Sequence, residues 1–155
     1  MALHAHLDED LVLPRLEARD REGVLREMTA RLEARLAAVA GDGLLEKLLK
    51  REDMGTTAIG QGVAIPHCRT KKVKTPVLVL GLSREGVPFG SVDGEPAHVF
   101  FLLVSPQDNP GAGLRLLASI AALNRGSRTL AAKLLKTSTA ADVLEVLRAE
   151  EGGRA

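Results

Sequence analysis

Pro76-Val77-Leu78-Val79-Leu80-Gly81-Leu82 and His98-Val99-Phe100-Phe101-Leu102-Leu103-Val104 decide the architecture of this chain. Apart from His98 at the start of the second, both runs are apolar throughout rather than at alternate positions, the pattern of a strand covered on both faces. Such strands need an apolar layer on each side, and the chain supplies helices before and after them. Upstream, Val24, Leu25, Met28, Leu32, Leu36 and Val39 recur at helical spacing, with Asp20 as N-cap and Gly41 and Gly43 as the stop. Leu44, Leu45, Leu48 and Leu49 line a second helix that stops before Gly55. Downstream, Leu114, Leu117, Ile120 and Ala121 lie on a helix apolar nearly all round. Ser127 is placed to cap a short helix through Leu135. Thr139 with Asp142 forms a capping box for a last helix carrying Val143, Leu144 and Leu147, which Gly152 and Gly153 end. Leu11 to Leu16 reads as a short strand interrupted by Pro14, near an edge. The expected fold is a three-layer α/β/α sandwich with a central mixed sheet, a single domain over residues 1–155.

Between the upstream helices and the first long strand lies Thr56-Thr57-Ala58-Ile59-Gly60-Gln61-Gly62-Val63-Ala64-Ile65-Pro66-His67. Two short extended pieces flank a Gly60 to Gly62 turn, whose glycines bring backbone freedom and N–H groups. Pro66 fixes its own φ and biases Ile65 toward an extended conformation. His67 is thereby held at a defined place. Further on, residues 89–96 carry turn chemistry, and Ser105 to Gly113 reads as a loop rich in Pro, Gly and Asn.

Composition excludes several classes. With 155 residues, 45% of them apolar, the chain buries a core without disulfides or structural metals. A net charge of +1 gives no general attraction to nucleic acid or membrane. Trp and Tyr are absent and Phe occurs three times, so base stacking has little material. The one cysteine, Cys68, has no internal partner, no secretory signal opens the chain, and no apolar run is long enough to span a bilayer. A cytoplasmic protein is expected, with no cofactor, no metal and no nucleic-acid partner.

An isolated histidine is more often structural than functional, and a lone Gly-x-Gly is weak evidence. The longer pattern is specific: Arg51-Glu52-Asp53-Met54-Gly55-Thr56-Thr57 leading into Gly60-x-Gly62-x-Ala64-Ile65-Pro66-His67. It resembles the active-site signature of the IIA components of the bacterial sugar phosphotransferase system, in the fructose/mannitol branch that includes the nitrogen-regulatory IIA proteins. Asp20-Arg21-Glu22-Gly23-Val24-Leu25, the two apolar strands and Leu114-Arg115-Leu116-Leu117-Ala118-Ser119-Ile120-Ala121 extend the similarity over about residues 8 to 150.

The resemblance implies that His67 accepts a phosphoryl group from HPr or its nitrogen-branch homologue. It then passes the group to a cysteine of a IIB component, or uses it to signal to a regulatory target protein. Arg51 is implied as the supporting residue. Contact with a membrane permease would be peripheral at most. A neutral imidazole, with a reference pKa of about 6.5, suits acceptance near neutral pH. The group then needs positioning and charge stabilisation, for which Thr56, Thr57, Gly60 and Gly62 are the candidate phosphate contacts. A regulatory role is favoured over transport because no IIB or membrane segment is fused to the sequence.

One position departs from the pattern. Many relatives carry a second histidine, in a His-Leu-x-x-Leu run, where this chain has Gly113-Leu114-Arg115-Leu116-Leu117. A helix N-terminus there still offers N–H groups to an anion, which makes Gly113 a further candidate phosphate contact, and a histidine introduced at 113 is expected to fit and to speed transfer. The rival reading is a non-catalytic regulatory binding module that keeps the fold. Cys68 points away from its neighbour His67 in an extended segment. His4 and His6 make a poor metal site near a terminus, and His98 reads as packed or hydrogen-bonded. Arg69, Lys71, Lys72 and Lys74 form either a solvated turn or a rim for an acidic partner.

Overall fold

The computed structural model describes residues 3–152. Its six-stranded sheet comprises β1 (Val12–Leu13), β2 (Ala58–Gly60), β3 (Val63–Ala64), β4 (His67–Thr70), β5 (Val77–Val87) and β6 (Ala97–Pro106). β6 is the hub. β5 pairs antiparallel along one side, and β3 and then β4 pair parallel along the other. β1 lies parallel to the far side of β5, and β2 lies antiparallel to β3. The sheet is mixed, as expected.

The continuous apolar runs are divided by strand alternation. Phe100, Leu102 and Val104 face one layer, with Val79 of β5. Val99, Phe101 and Leu103 face the other, with Leu78, Leu80 and Leu82. The first layer is closed by α1 (Arg21–Arg35) and α2 (Leu44–Asp53) through Val24, Leu25, Met28, Leu32, Leu44 and Leu48. The second is closed by α3 (Pro110–Gly126), α4 (Leu130–Leu135) and α5 (Ala140–Gly152) through Leu116, Ile120, Leu134, Val143 and Leu147. The three-layer sandwich follows.

The caps agree with the sequence in part. Asp20 accepts from the Gly23 amide at 2.7 Å, and Thr139 accepts from the Asp142 amide at 3.1 Å. Ser127 does not cap α4; its hydroxyl donates to Glu150. The first helix ends at Arg35, and Val39 lies in a separate 3-10 turn, Ala37–Val39. Gly43 therefore starts α2 rather than ending α1, in left-handed backbone at φ 70°. The expected loop from Ser105 to Gly113 is shorter, because Pro110 opens α3 and places Gly113 inside its first turn. Gly153, expected to help end α5, lies outside the described residues.

β1 rejoins β5 beyond Pro14, where the Leu16 amide donates to the Leu82 carbonyl at 2.8 Å. Gly81 makes room for Leu16, since a Cβ at 81 would stand 2.9 Å from the Leu16 side chain. The N-terminal turn Leu3–His6 is tied to α5 by Glu151, which accepts from the Leu3 and His4 amides and from the His4 ring. Partial burial pushes the Glu151 carboxyl up, but these three donors outweigh it and hold its pKa below the usual 4.5. A depressed folded pKa gives stability that is present above the unfolded value and lost as pH falls through the folded one. Amide protection at Leu3 and His4 should therefore hold above pH 4.5 and fall on acidification below it. Glu151→Gln should abolish that pH dependence, read by hydrogen exchange at the two amides.

Candidate functional site

Among the described residues β4 pairs only with β6, so its outer side is a sheet edge, and α2 packs beside it. His67 opens β4 opposite Leu103 and is half-buried. Its Nδ1 lies 2.8 Å from the carbonyl oxygen of Ile65. A carbonyl only accepts, so Nδ1 carries the proton and the lone pair of the neutral ring sits on Nε2.

An open cleft of about 400 Å³ brings His67 together with Lys47, Lys50, Arg51, Met54 and Arg69. The α2 contribution is regular: positions 47, 50, 51 and 54 are spaced i, i+3, i+4 and i+7, one face of a helix. Arg69 is two residues beyond His67 on the same strand, and so on the same side. Arg51 donates from Nη1 to the Gly55 carbonyl at 2.8 Å, which anchors the guanidinium at the helix end. Lys47 donates to Asp42 at 3.0 Å. Among the described residues, Lys50, Arg51 and Arg69 have no carboxylate within ion-pair distance. Three unneutralised cations beside one half-buried imidazole make a cleft suited to an anion.

Glu52 is the residue that sequence reasoning missed. It is 4% exposed and accepts hydrogen bonds from the Thr57 amide at 3.1 Å and from the Thr57 hydroxyl. This buried carboxylate fixes the chain between α2 and β2, and with it the entry to the His67 strand. Its signal was present: Leu44, Leu48 and Glu52 share one helix face, so a charge sits where apolar burial continues.

Thr56, Thr57, Gly60 and Gly62, expected among the phosphate contacts, are not gathered at His67. The Thr57 hydroxyl is spent on Glu52, and that of Thr56 donates to the Phe89 carbonyl while accepting from the Ala58 amide. The Gly60 to Gly62 turn lies toward the other end of β6. Val63 is opposite Val99, whereas His67 is opposite Leu103, about 13 Å further along at the usual rise per residue. That turn already holds an anion of the chain's own: Asp93 accepts from the Gln61 amide at 3.0 Å. Asn124 of α3 clamps it from the other side, donating to the Gly60 carbonyl at 3.1 Å. Gly60 and Gly62, at φ 90° and 81°, serve the hairpin.

His98 and His4 have other partners, and Cys68 packs into the core. His98 Nδ1 donates to the Ser83 carbonyl at 2.9 Å, and His4 pairs with Glu151. Cys68 is buried, and that burial pushes its thiol up to about 12, so it stays protonated and is no nucleophile near neutral pH. The Arg115 guanidinium lies against Gly111 and does not line the His67 cleft.

Residues 5–150 match the family model of the phosphoenolpyruvate-dependent sugar phosphotransferase system, EIIA 2. The chain belongs to this EIIA 2 family. It is 34% identical over 138 residues to a nitrogen regulatory protein of Bradyrhizobium diazoefficiens, covering 89% of each. It is 32% identical over 108 residues to the fructose-specific EIIABC component of Bacillus subtilis, which spans 70% of this chain and 17% of that much longer relative. The crystal structure of the nitrogen regulatory protein IIA-Ntr from Neisseria meningitidis superposes with a TM-score of 0.84 at 28% identity, covering 95% and 99% of the two chains. Among the described residues of this EIIA 2 chain, no helix is long and apolar enough to cross a membrane.

Gly113 overturns the expectation that a histidine fits there. It is buried in ordinary helical backbone, and an added Cβ would stand 2.7 Å from Cβ of Ser105 on β6. The limit is space rather than φ, because α3 and β6 meet backbone to side chain at this point. Gly113→Ala should cost about 1–3 kcal/mol by overpacking, and Gly113→His more, with no gain in any activity at His67. Ser105→Gly should recover part of the Gly113→Ala loss, as read by urea unfolding.

Proposed function

We propose that this chain is a phosphohistidine carrier that accepts a phosphoryl group on Nε2 of His67. The observation that carries the reading is the Nδ1–H of His67 bonded to the Ile65 carbonyl beside unpaired cations. The donor is the phosphohistidine of HPr or of its nitrogen-branch homologue. Its N–P bond breaks as the Nε2–P bond forms, and the donor imidazole keeps the electron pair. The proton on Nδ1 stays in place, and its bond to the carbonyl supports the positive charge that grows on the ring. Arg51, anchored at the end of α2, faces the charge on the phosphoryl oxygens, with Lys50 and Arg69 adding to the field. This set of cations stands in for the second histidine that many relatives have and Gly113 replaces. Onward transfer goes to a IIB cysteine, or the phosphorylated state signals to a regulatory target. The nitrogen regulatory relative of matching length favours the regulatory branch.

Gly113 is also the observation that favours the rival reading, a binding module that keeps the fold without transfer. The two readings separate on incubation with phosphoenolpyruvate, enzyme I and HPr, or with the nitrogen-branch counterparts. Intact mass should rise by one phosphoryl group, acid-labile and base-stable, and NMR should place it on Nε2. His67→Ala should abolish the adduct. Arg51→Ala should slow its formation about 10²-fold or more with circular dichroism unchanged. A wild-type chain that takes no phosphoryl group from either donor system would leave the binding module standing.

A further inference from the structure

The basic residues are not spread evenly over this protein. Seven of its 21 Lys and Arg fall between residues 47 and 74, where only Glu52 and Asp53 oppose them, although the whole chain carries a net charge of +1. The fold gathers them on one face. Lys47, Lys50, Arg51 and Arg69 edge the His67 cleft. The lysines at 71, 72 and 74 project from the turn that follows β4, all exposed, while Val73 between them is buried in the core. That turn has a fixed base: the Thr70 hydroxyl donates to Asp42 and accepts from the Lys72 amide at 3.1 Å. The hydroxyl bond first, and Lys47 second, hold the Asp42 carboxyl below the usual carboxylate range. Asp42 thus offsets Lys47 and is itself engaged, and Glu52 is turned inward to Thr57. The outer lysines lie beyond the cleft residues, so a phosphoryl group on His67 does not account for them.

At the edge of the same cleft stands Met54, 81% exposed. A large flexible apolar side chain surrounded by cations has the composition of a docking face, an adaptable apolar centre within a charged rim. We infer that this face docks an acidic protein surface, with carboxylates meeting the 69–74 turn and an apolar residue meeting Met54. The inference rests on the phosphocarrier reading, since it names the partner of that same cleft. A protein fits better than a nucleic acid, because all three phenylalanines are buried and no exposed aromatic side chain is available to stack on bases.

The test separates docking from chemistry. Phosphoramidate, a small donor with no docking surface, should label His67 equally in the wild type and in the Lys71→Glu/Lys74→Glu variant. Two HPr-type carriers should then be compared, one acidic and one basic around the phosphohistidine. Transfer from the acidic carrier should be faster, should fall as ionic strength rises, and should drop about tenfold or more in the variant. Transfer from the basic carrier should rise in the variant. Titrating the unphosphorylated acidic carrier into the isotope-labelled chain should shift amide signals at residues 47–54 and 67–74. Equal rates from both carriers without salt dependence would overturn the acidic partner while leaving His67 as acceptor. Failure of phosphoramidate and of both carriers to label His67 would sink the phosphocarrier reading, and the titration would still decide the docking. Signal shifts on this face with duplex DNA, and none with the acidic carrier, would overturn the proposal.

Discussion

The register of β6 is the constraint on which the rest depends. All five other strands reach it directly or through one neighbour, and it is buried on both faces. A shift of one residue would turn Phe101 and Leu103 toward α1 and α2, and Phe100 and Leu102 toward α3 to α5. Each layer is already closed by its own helices and packed against the side chains now facing it, so the exchange would disrupt both cores. The same register sets the place of the candidate site. β3 and β4 share one edge of β6 in succession, so the position of His67 opposite Leu103 follows from that of Val63 opposite Val99. The histidine stands where it does because a hydrophobic strand is locked four residues earlier.

Most of the architecture was legible because it rests on patterns with a single physical solution. Continuous apolar runs such as Val99 to Val104 demand cover on both faces, and helical periodicity before and after them supplies it. The errors fall where local chemistry admits two outcomes. Gly41 and Gly43 read equally well as the end of one helix or the start of the next, and the break came earlier, at Leu36. Asn109-Pro110 reads as loop, yet proline at the first helical position also opens helices. Ser127 has the right chemistry for a cap but found a carboxylate on α5 instead. No sequence window holds that partner, which is 23 residues away.

Of the candidate site, the pairing of His67 with Arg51 was legible and the surroundings were not. His67 and Arg51 do share a cleft. Exposed N–H groups in a Gly-x-Gly turn suit anions, which points to the glycines as phosphate contacts, and the turn indeed holds an anion, the carboxylate of Asp93. Proximity in sequence misled here, since the two short strands carry the turn and the histidine to different ends of β6. Lys47 and Lys50 were within reach of sequence reasoning through their spacing from Arg51 and Met54. Arg69 was noticed as part of a charge run rather than as a neighbour of His67. The crowding at Gly113 was beyond reach, because Ser105 meets it only through the packing of α3 on β6.

The partner that orients the His67 ring is a main-chain carbonyl two residues back, on the far side of Pro66. Side chains that orient an imidazole can be lost by a single codon change; a backbone oxygen cannot. Every substitution at position 65 leaves that acceptor in the chain. Which ring nitrogen keeps the lone pair is therefore shielded from ordinary mutational drift, and residues of the surrounding cleft can be exchanged without changing which face of the ring is presented. On the proposed phosphocarrier reading, variation in such a lineage would be concentrated in the speed of transfer and in the identity of the partners.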